Sequence, residues 1–366
     1  MEITAKMVKE LREMTGAGVM ACKNALVETE GDFDKAIEVL RKKGEATAVK
    51  KAGRIAAEGT VLAVVEGNKA AIVEVNSETD FVAKNDKFRT FVANIADQII
   101  ASDATSVEAL SEEKFVKDES KTVKEELVSQ IAVIGENLTI RRFTKINTDG
   151  VVVPYIHAGG RIGVLVEANA EANDDVNEAL KNIAMQIAAL NPKYTSRDEI
   201  SADELAKLRE ITIDSALNDT FTLPMPVLKG LLEKAVNDKV WSDEDIAIYE
   251  EKKDNMKYLP NFLSKEAKAS LAELALADKA TIVENKIFTG LVDGRVAKQL
   301  KEICLLDQTY VKAEDGKQSV AQYIAQVAKA TGSDITLKGF VRYETGEGIE
   351  KKSEDFAAEV AKQMGM

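Results

Sequence analysis

An internal repeat in this sequence limits the folds that the chain can adopt. IVEVN at 72–76 returns as LVEAN at 165–169, and NIADQI at 94–99 returns as NIAMQI at 182–187. The apolar positions of one helix match those of a second helix 88 residues later. The matched pairs are Phe88 and Val176, Val92 and Leu180, Ile95 and Ile183, and Ile99 and Ile187. Self-similarity of this kind predicts a duplicated structural unit.

Each copy begins with a pattern typical of a β-hairpin, in which two β-rich runs flank a turn signal. The turn signals are Glu66-Gly67-Asn68-Lys69 and Ala158-Gly159-Gly160. The helix follows the hairpin, and a third strand is expected at 137–146 in the first copy and at 335–343 in the second. The sequence therefore predicts an α+β core with antiparallel sheets. Its expected segments are repeat 1 at 53–147 and repeat 2 at 148–190 plus 331–350.

The N-terminal segment 1–52 predicts a small three-helix domain. Glycines punctuate the helices, and Gly44 is expected to close the last of them. Residues 45–58, which include Lys50, Lys51 and Arg54, are expected to be a linker.

The second repeat is interrupted by a helical insertion at 191–330. A capping box at 201–204 opens one helix, and a second long helix is expected at 281–303. Two such helices predict an antiparallel helical hairpin, a coiled-coil arm. The extra expansion at about 219–280 would then be dispensable, because a short turn could close the arm. Residues 351–366 predict a C-terminal helix.

Composition and charge exclude several classes of protein. The chain has 366 residues, 30% of them charged, and a net charge of -13. An acidic chain argues against direct nucleic-acid binding, which depends on Lys and Arg neutralising phosphates. No apolar run approaches the ~20 residues of a membrane span, and the N-terminus does not resemble a signal peptide. Two distant cysteines, Cys22 and Cys304, fit a reducing cytoplasm.

The two repeats differ at one loop between the hairpin and the helix. Repeat 1 has SETDFVAKN where repeat 2 has AEAN, a surplus of about five residues, Thr79-Asp80-Phe81-Val82-Ala83. Since repeat 2 folds without them, these residues point to another role, such as an aromatic wedge that enters a partner. The alternative is that Asp80 caps a helical turn while Phe81 packs inward.

No pattern in the sequence predicts an enzyme. His157 is the only histidine, and no Cys, Ser or acidic residue near it in sequence would orient it for catalysis. Gly16-Ala17-Gly18 lacks the third glycine and the following Lys of a phosphate-binding loop, so a helix–helix turn explains it better. No metal-ligand spacing and no cofactor fingerprint occurs. The sequence thus favours a binding protein that holds no metal or cofactor.

Several segments resemble the elongation factor Ts family. They are LREMTGAGVMACKNAL at 11–26, EVNSETDFVAKN at 74–85, YIHAGGRIGVLVEAN at 155–169, LLDQTYVK at 305–312 and GFVRYETGEGIEK at 339–351. Ala21 departs from the family, which commonly has an acidic residue there. The expansion at 219–280 is also longer than the usual arm.

The resemblance implies a fold and a function. It implies that 1–52 is a ubiquitin-associated-like domain, and that the chain is a guanine-nucleotide exchange factor for elongation factor Tu. Thr79, Asp80, Phe81 and Val82 would disturb the Mg²⁺ and nucleotide site of that partner. Further contacts would come from Val19, Met20, Lys23, His157, Gly159, Arg161 and Phe356. The oligomeric state stays open, with a homodimer and a 2:2 complex with the partner among the alternatives.

The sequence also leaves two other functions open. The first is a regulatory adaptor whose three-helix domain binds a peptide or a ubiquitin-like protein. The second is an enzyme that uses His157, which the missing partner residues disfavour.

Overall fold

A computed structural model describes residues 3–350 of the chain. The predicted C-terminal helix at 351–366, with Phe356, lies outside the described residues. The chain divides into two compact units, and within the described residues the first comprises 3–191 and 322–350. The second comprises 192–321. No helix in the described part of the chain is both long and apolar enough to cross a bilayer.

Three helices form the N-terminal segment: α1 (Ala5–Thr15), α2 (Val19–Glu28) and α3 (Phe33–Lys51). The Thr4 side chain caps α1 and the Asp32 side chain caps α3, each by accepting a backbone N–H. A small buried cluster joins the three helices: Val8, Leu11, Cys22, Ala25, Leu26 and Ala36.

The predicted linker at 45–58 is wrong in its first half, because α3 continues to Lys51. Gly44 does not end this helix. It is buried where α3 passes Val128 and Ala132. A glycine inside a helix costs only about 1 kcal/mol, and burial of the helix face against its neighbour offsets that cost.

The first repeat contains a three-stranded antiparallel sheet in the order β1 (Glu58–Glu66), β2 (Lys69–Ser77) and β5 (Thr139–Asn147). Its central strand, β2, pairs with both neighbours. A short antiparallel hairpin of two further strands lies at 114–122. The elements in chain order are β1 (Glu58–Glu66), β2 (Lys69–Ser77), α4 (Asp80–Ala83), α5 (Asp86–Ala101), α6 (Val107–Glu112), β3 (Lys114–Phe115), β4 (Asp118–Thr122), α7 (Val123–Ile134) and β5 (Thr139–Asn147).

The second repeat begins with a hairpin and a helix, and then the insertion follows. The hairpin and helix are β6 (Val151–His157), β7 (Ile162–Asn169) and α8 (Asp174–Leu190). The insertion contains α9 (Ala202–Asn218), α10 (Met225–Asn237), α11 (Asp243–Lys252), α12 (Lys265–Ala277), α13 (Lys279–Ile282) and α14 (Lys286–Ile303). The chain then completes the repeat with α15 (Val320–Thr331) and β8 (Thr336–Glu344).

The predicted duplication is confirmed by the two sheets. The order β6-β7-β8 repeats β1-β2-β5, and both central strands carry a register shift at the same place, after Glu74 and after Glu167. The eight matched helix positions are all buried. The order of elements also repeats further than the sequence patterns indicated, because α15 precedes β8 as α7 precedes β5. The insertion was expected to run to 330, whereas the first compact unit resumes at Gln322.

The two sheets of the first unit pack face to face. Alternate side chains of β2 point to opposite faces, so Ala70 and Ile72 meet Leu165 of the second sheet. Ala71, Val73 and Val75 face α5 instead. Each hairpin starts at a glycine, because a Cβ at Gly59 or Gly150 would lie 2.2 Å from a carbonyl oxygen of the adjacent strand.

Glu74 brings a carboxylate into this interface between the repeats, and its side chain is fully buried. The segment after β8 crosses over it, and the Gly346 N–H donates to Oε1 at 2.7 Å. Arg141 donates to Oε1 at 2.9 Å and Arg142 to Oε2 at 2.6 Å. Burial alone would raise the pKa of Glu74. The hydrogen bonds from Gly346, Arg141, Asn76 and Arg142 lower it further than burial raises it, so the pKa lies below its ordinary value.

Glu74→Gln is expected to destabilise the first unit by about 3 kcal/mol at neutral pH, because it leaves two arginines without their buried partner. A group whose pKa is depressed in the folded state stabilises the fold above its unfolded pKa, and that contribution disappears as pH falls through the folded pKa. The difference between the wild type and Glu74→Gln should therefore be constant above pH ~5 and shrink below the ordinary value of 4.5. Urea unfolding at a series of pH values measures it. A difference that grows on acidification would contradict the assignment.

The insertion is more than a two-helix arm, and the predicted hairpin is wrong in this respect. One hydrophobic cluster of 20 buried residues runs through the whole insertion, and 13 of them lie between 219 and 280. Trp241 is 4% exposed in this core and donates its indole N–H to the Ala267 carbonyl at 2.9 Å. The helix expected at 281–303 is broken, since α13 ends at Ile282 and Asn285 caps α14. Residues 219–280 thus supply most of the core of their own unit.

Candidate interaction site

The five-residue surplus of repeat 1 forms a single helical turn, α4, before α5. Asn85 caps α5 and Asn173 caps α8, so the two caps are equivalent positions of the repeats. The added turn therefore lies between the end of β2 and the shared cap. Thr79 caps it, because its Oγ1 accepts the Val82 N–H at 3.3 Å.

Phe81 and Val82 point in different directions from this turn. Phe81 is 82% exposed, whereas Val82 packs against the core under α5. Successive residues of a helix are about 100° apart around the axis, so the two side chains point to different faces of the turn. The alternative in which Asp80 caps the turn while Phe81 packs inward is therefore wrong. The turn presents an aromatic side chain to solvent.

Charge on the turn comes from Asp80 and Lys84. Lys84 Nζ lies 2.6 Å from Asp80 Oδ2, and this contact holds the pKa of Asp80 below its usual range. Both side chains are exposed, so the pair adds little to stability. The carboxylate next to Phe81 consequently stays ionised at neutral pH.

The sequence patterns did not reveal the residues that hold the turn in place. Glu136, in the connection between α7 and β5, accepts hydrogen bonds from Glu78 and Thr79. A sequence difference between the repeats points to Glu136. When the end of α7 is aligned with the end of α15, Gly135-Glu136-Asn137 matches Gly332-Ser333-Asp334. The repeat that has the extra turn also has the carboxylate.

Three of the predicted contact residues lie on α2. Val19 is 50% exposed and Met20 is 63% exposed, and Lys23 also faces solvent. Cys22 and Leu26 of the same helix are buried in the cluster of the N-terminal helices. The solvent-exposed face of α2 is thus partly apolar, although the opposite face of the helix is already packed in the core of the N-terminal segment.

Three further predicted residues lie at the turn between β6 and β7. His157 and Arg161 are exposed, and Gly159 has a positive φ of 67°. Gly160 is fixed by a close approach to the first repeat, because a Cβ there would lie 1.8 Å from Thr60 Oγ1. The structure therefore groups the predicted site residues on three separate elements: α4 with its cap, α2 and the β6–β7 turn.

Among the described residues, the imidazole of His157 forms a hydrogen bond with one side chain. Its Nδ1 lies 3.0 Å from the Tyr155 hydroxyl, and in the part of the chain that the structure describes His157 makes no hydrogen bond to a carboxylate or a thiol. Within residues 3–350, no cluster of His, Cys, Asp and Glu could hold a metal ion.

Comparisons with known proteins give the family. The elongation factor TS family model matches residues 78–347. Elongation factor Ts of Clostridioides difficile (strain 630) is 44% identical over 365 residues, and the match covers 99% of both chains. Elongation factor Ts of Clostridium novyi (strain NT) is 44% identical over 366 residues, again with 99% of both chains covered. The chain belongs to the elongation factor Ts family.

Membership of the elongation factor Ts family extends to the insertion. The matches to the clostridial elongation factor Ts chains cover 99% of both sequences, so those relatives also span 192–321. The insertion, including the expansion at 219–280, is therefore not an addition peculiar to this chain.

Proposed function

We propose that this chain is the guanine-nucleotide exchange factor of elongation factor Tu in translation. It binds the GDP form of that partner, displaces Mg²⁺ from the nucleotide site and releases GDP, so that GTP can bind. Membership of the elongation factor Ts family supports the proposed nucleotide exchange on elongation factor Tu. The exposed side chain of Phe81 supports the proposed displacement of Mg²⁺.

The observation that carries the mechanism is the exposure of Phe81. A phenyl ring that is 82% exposed gains about 1.5–3 kcal/mol when it is buried elsewhere, and α4 is not needed to build the repeat. Such a side chain on an anchored turn fits insertion into a partner. We assign Thr79, Asp80, Phe81 and Val82 to the displacement of Mg²⁺, with Phe81 as the inserted group.

The mechanism follows from linkage. A factor that binds the nucleotide-free partner more tightly than the GDP form must weaken GDP binding by the same ratio. Mg²⁺ supplies the main counter-charge to the phosphates, so its loss favours nucleotide release. GTP then rebinds by mass action and expels the factor. The exchange factor changes no covalent bond of its own and is not an enzyme in the chemical sense.

The remaining contacts are proposed for the two other elements. Val19, Met20 and Lys23 of α2, within the domain at 1–52, would bind the nucleotide-binding domain of the partner. His157, Gly159 and Arg161 at the β6–β7 turn would contact another of its domains. Phe356, outside the described residues, would add a contact from the C-terminal segment. The proposed site of action is the cytoplasm.

Release of fluorescent GDP from elongation factor Tu, with and without this chain, tests the function. We expect catalytic amounts of the chain to speed release in the presence of Mg²⁺ and excess unlabelled GDP. The effect should fall as Mg²⁺ is removed with a chelator, because displacement of the ion is then no longer required.

The adaptor function would give a different result. A peptide- or ubiquitin-like-binding adaptor would leave the rate of GDP release unchanged at every concentration of the chain. That outcome would overturn the exchange function.

A further inference from the structure

The carboxylate of Glu136 binds the first residues of the α4 turn at three points. Its Oε2 accepts the backbone N–H groups of Glu78 and Thr79, each at 3.0 Å. Its Oε1 accepts the Thr79 hydroxyl at 2.6 Å. Hydrogen bonds to an ionised acceptor are among the stronger ones in proteins, so the start of the turn is firmly held.

The hydroxyl of Thr79 connects this carboxylate to the helical turn. A hydroxyl has one proton to donate and two lone pairs that accept. The proton goes to Glu136, so the lone pairs are directed towards the Val82 N–H, which Thr79 Oγ1 accepts at 3.3 Å. Glu136 therefore orients the cap, and the cap orients the turn that carries Phe81.

The segment at 136–137 also donates a hydrogen bond back to the segment at 78–79. The two segments therefore hold each other in place. The Glu78 carboxylate accepts the Asn137 N–H at 2.6 Å and lies 3.3 Å from an Arg54 guanidinium nitrogen. Asn137 Nδ2 in turn donates to the Arg54 carbonyl at 2.8 Å. Gly135, with φ of 86°, ends α7 and turns the chain so that Glu136 faces the loop.

The second repeat provides an internal comparison. Its equivalent of Gly135 is Gly332, which also has a positive φ, and Ser333 stands at the place of Glu136. The Ser333 hydroxyl lies 3.4 Å from Asn173 Nδ2, at the cap of α8. The repeat that lacks the extra turn thus has a short neutral side chain where the first repeat has the carboxylate.

We propose that Glu136 is a positioning residue for nucleotide exchange, which holds α4 so that Phe81 is already oriented for insertion. This inference rests on the proposed function. A loop that is ordered before binding does not have to be ordered during it, so the insertion step is faster. Glu136 itself need not touch the partner.

The test measures GDP release from elongation factor Tu over a range of factor concentrations. Glu136→Ala should lower the maximal rate by about 10- to 100-fold, as expected for the loss of hydrogen bonds to a charged group. The half-saturating concentration should change by less than about threefold, because the other contacts remain. Glu136→Gln, whose single amide oxygen still accepts the two N–H groups but leaves no second oxygen for the Thr79 hydroxyl, should recover only part of the rate.

A matched control comes from the same repeat. Glu113 also accepts two side-chain hydrogen bonds, from Gln98 at 3.0 Å and from Ser102 at 2.7 Å, but it does not contact the α4 turn in these bonds. Glu113→Ala should lower the thermal unfolding temperature without lowering the maximal rate. If Glu113→Ala and Glu136→Ala reduce the rate equally, a general loss of stability explains both and the inference is overturned.

A double substitution separates the inference from the proposed function. In the Phe81→Ala background, Glu136→Ala should reduce the rate by less than about twofold, because the residue it positions is gone. An undiminished effect in that background would show that Glu136 does not act through Phe81. A folded Glu136→Ala protein with the wild-type rate would overturn the inference alone, whereas a wild-type rate for Phe81→Ala would overturn the proposed mechanism first.

Discussion

Phe81→Ala is expected to lower the maximal rate of GDP release by roughly 30- to 1000-fold, the range for loss of a buried aromatic side chain at a binding hot spot. Binding should weaken less than exchange, because the proposed contacts on α2 and at the β6–β7 turn remain. The side chain is 82% exposed in the free protein, so the free energy of unfolding should change by no more than about 0.5 kcal/mol. Stopped-flow release of fluorescent GDP and thermal unfolding on the same preparation measure both effects.

Phe262 provides a matched control for this experiment. It is an exposed phenylalanine, 51% accessible, in the insertion. Phe262→Ala should leave the release rate unchanged if the effect is specific to the α4 turn. A normal release rate for a correctly folded Phe81→Ala protein would refute the wedge, and a large loss of stability would show that Phe81 is a packing residue.

Deletion of residues 219–280 is expected to abolish cooperative folding of the insertion. The deleted stretch supplies 13 of the 20 buried residues of its core, so α9 and α14 would lose most of the apolar surface they pack against. Helices of 17 and 18 residues are marginal in water without tertiary packing. Far-UV circular dichroism should show a loss of helix larger than the deleted residues account for. If the helical signal of α9 and α14 is retained, the two helices fold without residues 219–280, as the simpler two-helix arm requires.

A single substitution tests the same core without a deletion. Leu271 is fully buried on α12, whereas Leu276 on the same helix is 38% exposed. Leu271→Ala should cost about 2–5 kcal/mol, and Leu276→Ala about 0.5 kcal/mol or less. Trp241, the only tryptophan, is buried in this cluster, so its fluorescence during urea unfolding reports on this unit. Equal effects of the two substitutions would contradict the proposed core.

The duplicated unit could be predicted from the sequence because its signals are local. Period-two strands, period-3.6 helices and the return of IVEVN as LVEAN depend only on neighbouring residues, and the third strand of repeat 2 was expected where β8 lies. The equivalence of α7 and α15 was missed because the two helices have the same place in the order of elements but share few residues. Their equivalence became visible only when β5 and β8 were seen beside β2 and β7.

Local patterns failed where long-range packing decides the outcome. Gly44 is a helix-ending residue by type, yet α3 continues through it because the helix face packs against Val128 and Ala132 of α7. The sequence predicted a two-helix arm that a short turn could close, whereas residues 219–280 supply 13 of the 20 buried residues of the core of this unit. Amphipathic faces on separate helices pack together only in three dimensions, and the sequence does not specify which faces meet.

The repeated sequence patterns were sufficient to predict a duplicated α+β protein and to single out the five extra residues around Phe81. That Phe81 faces solvent while Val82 faces the core follows from the packing of the folded chain and not from the repeat comparison. The tertiary structure also identified Glu136, 57 residues from Thr79 along the chain, as the group that orients the cap. The physical reason is that a repeat comparison detects surplus residues, but the direction of a side chain depends on hydrogen bonds from a distant segment.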